Sequence, residues 1–325
     1  MSDPQLPVKS KNPMEQVLGR VDKFQQGSPF FGFLYAIIKK YGTDNGGYLA
    51  ALITYYGVLS LFPLLIVFST LTQLLLRNDQ ALRLKISNSV SQYIPVIGSQ
   101  LQHSIHSPTK TGIGLIVSLI ITFYGARGGA GVLQFAISSL WYVPQDKQPP
   151  FLKNIARSFG IILGGGIGLI ATTVISGYTT FLGHSFPIRL LTSLISCVIL
   201  CLTLLLVIQL SLPDRKPWRQ LILSAGIAAI GLQILQILGS AVLAHELKSF
   251  NTTYGTFALV IGLMFWIYLQ AEVLLYAAEV DIVRRYKLWP RSMQNTLTIA
   301  DQQAFRKAAE AQSRHDTENI AVHFN

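Results

Sequence analysis

Six apolar stretches, each long enough to cross a lipid bilayer as a helix, constrain the fold of this sequence more than any other feature. A spanning helix needs about 20 apolar residues, because the hydrocarbon core is about 30 Å thick and a helix rises about 1.5 Å per residue. We therefore predict an all-α, polytopic membrane protein with six transmembrane helices. Their approximate spans are 48–76, 112–141, 158–183, 188–212, 220–243 and 255–280.

Composition supports a membrane domain over a large soluble core. Half of the 325 residues are hydrophobic and only 13% are charged, whereas soluble domains carry about 25% charged residues. We assign residues 30–290 to the transmembrane domain, between a polar amino-terminal tail (1–29) and a polar carboxyl-terminal tail (291–325). The first tail is expected to be mostly disordered, with room for one short helix, and it contains no stretch typical of a cleaved signal peptide.

Two further segments are predicted to form helices that lie on the membrane surface. The stretch "FFGFLYAIIKK" (30–40) is apolar but too short to span, and we expect Lys39 and Lys40 to point toward the headgroups. The second segment, near 80–105, has apolar residues at steps of three and four, interrupted at Pro95.

The distribution of basic residues predicts the orientation of the helices. Of 26 Lys and Arg residues, 19 fall in segments that alternate onto one side, 6 fall on the other side, and Arg127 lies within a helix. Positive residues accumulate on the cytoplasmic side, so both termini should be cytoplasmic. The same pattern suggests contact with anionic lipid headgroups and argues against a nucleic-acid partner, which would require a continuous basic surface.

Two of the predicted helices contain residues that disturb regular helix geometry. Pro63 removes a backbone hydrogen bond in the first span and should kink it. In the second span, "GARGGAG" (125–131) supplies Gly125, Gly128, Gly129 and Gly131, which predict a break, a hinge or a tilt. The third span has small residues every four positions from Gly160 to Thr180, which favours either close helix packing or a wall along a substrate path.

The last span contains the polar residues most suggestive of a function. Tyr268, Glu272, Tyr276 and Glu279 share one helix face. A charge near the bilayer centre costs about 2.5–3.5 kcal/mol and usually faces a partner inside the bundle. Because Arg127 lies at a depth similar to that of Glu272, we hypothesise that these two face each other, as a structural pair or in substrate binding. Glu279 either extends to the cytoplasmic interface or has a role inside the bundle.

The sequence contains no convincing catalytic, cofactor or metal motif. "HELKS" (245–249) begins like a zinc-protease motif but lacks its second histidine. Cys197 and Cys201 lie within an apolar stretch, where they are expected to act as small hydrophobic residues. We therefore predict no catalytic residues, no metal site and no cofactor.

Three segments resemble the YihY/virulence factor BrkB family of bacterial membrane proteins, with closest similarity to its actinobacterial branch. They are "YYGVLSLFPLLIVF" (55–68), "LQFAISSLWYVPQDKQPPFLK" (133–153) and "YGTFALVIGLMFWIYLQAEVLLYAAEV" (254–280); "RRYKLWPRS" (284–292) extends the likeness. The resemblance implies a six-helix protein of the bacterial inner membrane with no agreed biochemical activity. An older ribonuclease label for such proteins finds no support in these residues.

The resemblance also bears on the two carboxylates of the last span. It implies a small residue followed by Glu at Ala278–Glu279, and an uncharged residue where this chain has Glu272. Glu279 is therefore the carboxylate expected to have a function shared by the family.

These observations lead to one preferred function and two alternatives. Family links to serum resistance, envelope integrity and lipid export, together with a charged interior and irregular helices, favour a permease or a translocator of lipids or other amphiphiles in the cell envelope. The lack of an inverted repeat between the halves weakens this interpretation. The alternatives are a non-transporting scaffold for envelope proteins or lipids and, less favoured, an intramembrane enzyme. The sequence leaves the oligomeric state open, and a homo-oligomer is compatible with it.

Overall fold

The structure, a computed structural model, describes residues 13–75, 113–182, 186–254, 256–294, 296–315 and 317–324. These residues form helices joined by short connections and contain no strand, which confirms the all-α prediction for this part of the chain. The surface helix predicted near 80–105 lies outside the described residues. The described helices are α1 (Pro13–Gly27), α2 (Pro29–Thr43), α3 (Gly46–Leu75), α4 (Ile113–Leu140), α5 (Phe151–Leu182), α6 (Phe186–Ser211), α7 (Trp218–Tyr254), α8 (Thr256–Tyr286) and α9 (Ile299–Glu310).

Helices α3 to α8 contain the six apolar stretches, and α2 contains the short stretch predicted to lie at the membrane surface. Within the described residues, four segments are long and apolar enough to cross a membrane: Phe151–Thr172, Leu190–Ser211, Trp218–Gly239 and Val260–Tyr286. Several of these helices extend beyond their apolar stretches, and α7 does so most. The 37 residues of α7 span about 55 Å, well beyond the hydrocarbon core. The polar residues at the ends of α7 continue the helix, because backbone hydrogen bonding within a helix does not require lipid.

Helix α8 lies at the centre of the bundle, packed against α2, α3, α4 and α7. Its second half shows this position most clearly. Leu275, Ala278, Ile282 and Val283 are almost completely buried, whereas its large exposed apolar residues, such as Phe265, lie in the first half. Side chains on the inward face of the second half therefore meet other helices and not lipid.

The outer surface of the bundle is strongly apolar. Large hydrophobic side chains are exposed along the outer faces of α5, α6 and α7, including Ile167, Leu202 and Ile230. A continuous apolar surface of this kind would be unstable in water, but it matches the hydrocarbon of a bilayer.

Both terminal segments lie at the same end of the bundle. The Met293 N–H donates to Asp22 in α1, the Gln145 N–H after α4 donates to the Ser313 carbonyl, and Ser138 near the end of α4 donates to the Ser211 carbonyl at the end of α6. The amino-terminal segment, expected to be mostly disordered, forms the 15-residue helix α1 over its described part. We refer to this end of the molecule as the terminal end.

Candidate functional site

The candidate functional site is the polar interior between α2 and the second half of α8. Residues 268, 272, 276 and 279 are three or four positions apart, so they form one face of α8. Helix α2 covers this face and is followed by a tight turn into α3, in which Asn45 adopts a left-handed conformation (φ 56°). Asn tolerates this conformation better than most residues. The turn places Lys40, Tyr41 and Asp44 beside α8.

Lys40 and Glu279 form an ion pair that is completely buried. The Lys40 Nζ lies 2.7 Å from the Glu279 Oε2, and neither side chain is exposed. Glu279 therefore does not extend to the interface, and the prediction that Lys40 points toward the headgroups is wrong. The reason is tertiary: α2 packs directly on α8, so its inward face meets a carboxylate instead of lipid.

Lys40 makes several additional contacts. Its ammonium pairs with Asp44 one turn later, donates to the Leu140 carbonyl at 3.0 Å, and lies 4.4 Å from the centre of the Tyr142 ring. Tyr142 has a positive φ of 54°, a strained conformation for a bulky residue, and this conformation brings its ring over the ammonium. Lys40 thus joins α2, α8 and the connection after α4.

These neighbours keep Lys40 charged. Burial alone would lower the pKa of its ammonium, but attraction to Glu279 and Asp44 more than offsets burial, and the pKa is raised above its usual value. The Glu279 carboxylate has fewer hydrogen-bond and ion-pair partners than the Lys40 ammonium. Its Oε1 is buried and has no hydrogen-bond partner among the described residues. A buried carboxylate in this position depends on Lys40 for its stability.

Glu272 lies two turns from Glu279 in a setting rich in tyrosine. The Tyr41 hydroxyl donates to the Glu272 Oε1 at 3.3 Å, and the Tyr41 ring stacks on Tyr276 with their centres 3.8 Å apart. Tyr268 lies on the same face, and a Cβ added at Gly47 in α3 would contact its hydroxyl. The structure thus brings together Tyr268, Glu272 and Tyr276, with Tyr41 as a partner that the sequence did not reveal.

The predicted pair between Arg127 and Glu272 is not formed. The Arg127 guanidinium lies over the ring of Phe151, 5.0 Å from its centre, at the start of α5. Similar depth along two helices does not place two residues on facing sides: Arg127 contacts the start of α5, whereas Glu272 contacts Tyr41 of α2. Glu272 accepts from the Tyr41 hydroxyl, and the cation that α2 contributes, Lys40, pairs with Glu279.

The four glycines of α4 do not break the helix, which continues from Ile113 to Leu140. Gly125 and Gly128 lie where α4 meets α3: a Cβ at Gly125 would crowd Ser60, and a Cβ at Gly128 would collide with the ring of Tyr56. Close packing therefore accounts for Gly125 and Gly128. Helix α3 likewise continues through Pro63. A kink at Pro63 and a hinge at Gly125–Gly131 both stay predictions.

A second buried polar cluster lies at the terminal end. Its centre is Asp301, a fully buried residue of α9 whose carboxylate accepts from Arg291 Nε at 2.8 Å, Lys39 Nζ at 2.9 Å and the Ser292 N–H at 2.9 Å. Asp22 accepts from the Met293 N–H at 2.9 Å and the Ser292 hydroxyl at 3.1 Å. We call Asp22, Lys39, Arg291, Ser292 and Asp301 the terminal cluster.

Comparison with known proteins places these features in a family context. Residues 37–296 match the family model described as "Virulence factor BrkB". The "Inner membrane protein YhjD" of Escherichia coli (strain K12) is 26% identical over 86% of this chain and 88% of its own length. The "Putative ribonuclease-like protein YfkH" of Bacillus subtilis (strain 168) is 25% identical, over 79% and 97%. A "UPF0761 membrane protein" of Chromohalobacter salexigens is 23% identical, over 76% and 61%.

No solved structure shows a significant match to the chain. The matched relatives include inner-membrane and membrane proteins, and four described segments are long and apolar enough to span a bilayer. The chain is a multi-pass protein of the inner membrane, as predicted.

Proposed function

Because the chain belongs to the virulence factor BrkB family of membrane proteins, we propose that it is a translocator of lipids or other amphiphiles that serves the cell envelope. The family has no established enzymatic activity, and the ribonuclease-like name of the Bacillus relative describes that protein. We propose no catalytic role for the residues of the candidate site.

The buried Lys40–Glu279 pair is the observation that supports this proposal. It lies between an amphipathic helix and the central helix of the bundle, where a charged pair is expensive to bury and an apolar pair would pack as well. Buried charges in membrane domains commonly mark transport pathways. We propose that the pair holds the closed state, and that α2 moves away from α8 when the pathway opens.

The proposal includes the full membrane topology. We propose that α3 and α4, with 30 and 28 residues, complete a set of six spanning helices with the four segments noted above. The terminal end would face the cytoplasm, since most of the Lys and Arg residues belong to segments on that side.

A scaffold that does not transport is the second candidate, and the terminal cluster favours it. Asp301 of α9 accepts from Lys39 of α2 and from Arg291 after α8, and Asp22 of α1 accepts from Met293 in that same segment. These bonds give the terminal end a fixed polar surface suited to a protein partner. The completely packed state of the α2–α8 contact also fits a protein that does not open.

Transfer of fluorescent phosphatidylglycerol between leaflets of proteoliposomes separates the two candidates. A translocator should accelerate transfer over protein-free liposomes, and Glu279→Gln should change the rate at least about tenfold, because loss of an ion pair worth a few kcal/mol shifts a closed–open equilibrium. Glu310→Gln, the same substitution at an exposed residue of α9, is the matched control and should leave the rate unchanged.

Absence of transfer by the wild-type protein would exclude translocation of this lipid and favour the scaffold. Equal rates for wild type and Glu279→Gln would show that the buried pair does not control the pathway.

A further inference from the structure

A cavity at the terminal end lies between the start of α5 and the end of α6, away from the α2–α8 site. Its volume is about 890 Å³, within the range of small-molecule sites in proteins. Its lining combines cationic, amide and apolar side chains. The lining includes Lys153, Arg157, Leu202, Leu206, Gln209 and Arg215.

The cationic part of the cavity is not neutralised by protein. No lining residue is acidic, and Lys153, Arg157 and Arg215 make no ion pair among the residues with described side chains. The carboxylate of Asp214, in the connection after α6, interacts electrostatically with Arg157 but is not part of the lining. Three cations beside one carboxylate leave a net positive charge at the cavity, which favours an anion.

Arg157 provides an independent indication of a ligand. Its Nη2 donates to the Pro213 carbonyl, which fixes the guanidinium against the connection after α6. Its Nη1 is buried and has no hydrogen-bond partner among the described residues. A buried donor without an acceptor is costly, and a phosphate oxygen is a suitable partner because Arg donates well to phosphate.

The apolar part of the cavity distinguishes a lipid from a free anion. Leu202 and Leu206 line it and are 61% and 41% exposed, on a surface of α6 that otherwise faces hydrocarbon. Lys153 and Arg157 lie at the start of α5, and Arg215 lies in the connection after α6. The charges therefore lie at the end of the apolar surface, as a lipid headgroup lies at the end of its acyl chains.

We propose that this cavity binds one anionic phospholipid, with its phosphate on Arg157, Lys153 and Arg215 and its first acyl carbons along Leu202 and Leu206. The lipid belongs to the leaflet at the terminal end. This binding goes beyond the proposed function, because it requires no movement of α2 and holds for a scaffold as well as for a translocator.

Native mass spectrometry of the detergent-solubilised full chain tests the proposal by titration with phosphatidylglycerol, phosphatidylcholine or inorganic phosphate. Phosphatidylglycerol should bind more tightly than phosphatidylcholine and should not be displaced by millimolar phosphate. Lys153→Gln with Arg215→Gln should weaken phosphatidylglycerol binding roughly 30-fold, from about 1 kcal/mol per cation near an anionic headgroup. This double variant leaves the structural bond from Arg157 to Pro213 intact.

Lys147→Gln with Arg219→Gln is the matched control, since it removes two cations from the same end of the molecule without altering the cavity lining. It should change the affinity less than threefold. Arg157→Lys keeps the charge but not the fork of donors, and should weaken phosphatidylglycerol binding.

Three results would overturn the proposal. The control could lose as much affinity as the cavity variant, which indicates diffuse surface attraction. Inorganic phosphate could displace the lipid, which indicates a small-anion site. The two phospholipids could bind equally, which indicates that charge plays no part. If the wild-type protein does not accelerate transfer of phosphatidylglycerol between leaflets, the proposed function fails but these binding results still stand.

Discussion

At the scale of single residues, Lys40 and Glu279 depend on each other unequally. Lys40 retains Asp44, the Leu140 carbonyl and the Tyr142 ring if Glu279 loses its charge. Glu279 has Lys40 as its ion-pair partner among the described residues, and its Oε1 is already without a hydrogen bond. Loss of the lysine should therefore harm the protein more than loss of the carboxylate.

We expect Lys40→Met to lower the free energy of unfolding by about 3–5 kcal/mol, since it leaves a buried carboxylate unpaired. Glu279→Gln should cost less, and the double variant Lys40→Met with Glu279→Met should recover part of the loss. Thermal or denaturant unfolding in detergent measures these differences, with Lys23→Met, an exposed lysine of α1, as the control. Equal losses in both single variants would contradict the inequality.

The sequence indicated Glu279 but not its partner. Helical spacing shows which residues share a face of α8, because this depends only on the geometry of one helix. It does not show which helix covers that face. The cation lies in α2, far away along the chain, and its amphipathic pattern was equally consistent with a helix lying on headgroups. The cation proposed from the sequence, Arg127, was assigned to Glu272 and not to Glu279, because those two residues lie at similar depth.

At the scale of helices, small residues determine how closely α5 and α6 approach. A Cβ added at Gly164 would crowd Leu206, and one at Gly168 would collide with Thr203. The hydroxyl of Thr203 donates to the Ile199 carbonyl at 2.8 Å, so this side chain moves only by losing that bond. Of the two interpretations of the small-residue stripe, close packing is the one that the described contacts at Gly160, Gly164 and Gly168 support.

Gly168→Ala should therefore lower the free energy of unfolding by about 1–3 kcal/mol, as overpacked contacts do. Gly166→Ala is the matched control, because a Cβ there meets nothing within 4 Å. It should be neutral or slightly stabilising, since Ala favours helix over Gly. Thermal unfolding midpoints of the two variants decide the matter, and a Gly168→Ala protein as stable as wild type would argue against the close contact.

Sequence periodicity located the helices well but not all of their ends. The apolar stretch at 188–212 corresponds to Phe186–Ser211, because polar residues follow it directly. The stretch at 220–243 underestimates α7 by eleven residues at its carboxyl end, since hydropathy detects lipid contact and not helical hydrogen bonding. Gln233, inside the apolar part of α7, donates across helices to the Ser193 hydroxyl of α6 at 3.4 Å.

At the scale of the whole molecule, the terminal cluster ties the two ends of the chain to the bundle. Burial would raise the pKa of Asp301, but hydrogen bonds from the Ser292 N–H, Lys39 and Arg291 outweigh it and hold the pKa well below its usual range. The pKa of Asp22 is lowered as well: burial acts to raise it, and the bonds from Met293, Gln25 and Ser292 prevail. Both carboxylates are charged wherever the cluster is intact.

This arrangement predicts a cluster that is stable at neutral pH and fails in acid. A carboxylate whose pKa is lower when folded contributes stability above its unfolded pKa of about 4, and this contribution is lost as the pH falls through the folded value. Hydrogen exchange of residues 291–310 should show protection at pH 7 that declines progressively below about pH 4. Protection that stays constant from pH 7 to pH 2 would contradict the role of these carboxylates.

Asp301→Asn should open the cluster at neutral pH. Hydrogen bonds to a charged group contribute about 1.5–3 kcal/mol each, so protection of α9 should fall at least about tenfold. Limited proteolysis after α8 measures the same change. Glu310→Gln alters an exposed pair on the same helix and should leave protection unchanged.

The sequence could not reveal this cluster, because its residues have no shared period and are far apart in the chain. The two terminal segments looked like solvated tails because each is polar and rich in charge. Their pairing is a tertiary property: the partners of Asp22 and Asp301 come from two distant parts of the chain, Lys39 from α2 and Arg291 with Ser292 from the segment after α8.

The bond between Asp22 and the Met293 N–H joins residues 271 positions apart, and this separation has a consequence for biosynthesis. Chains are elongated at about 5–20 residues per second, so roughly 15 to 55 s pass before Asp22 meets its donor. During this interval Asp22 and Lys39 lack their partners from the end of the chain, Met293 and Asp301. The terminal cluster therefore forms only when translation is nearly complete, and a chain that stops before residue 293 lacks it.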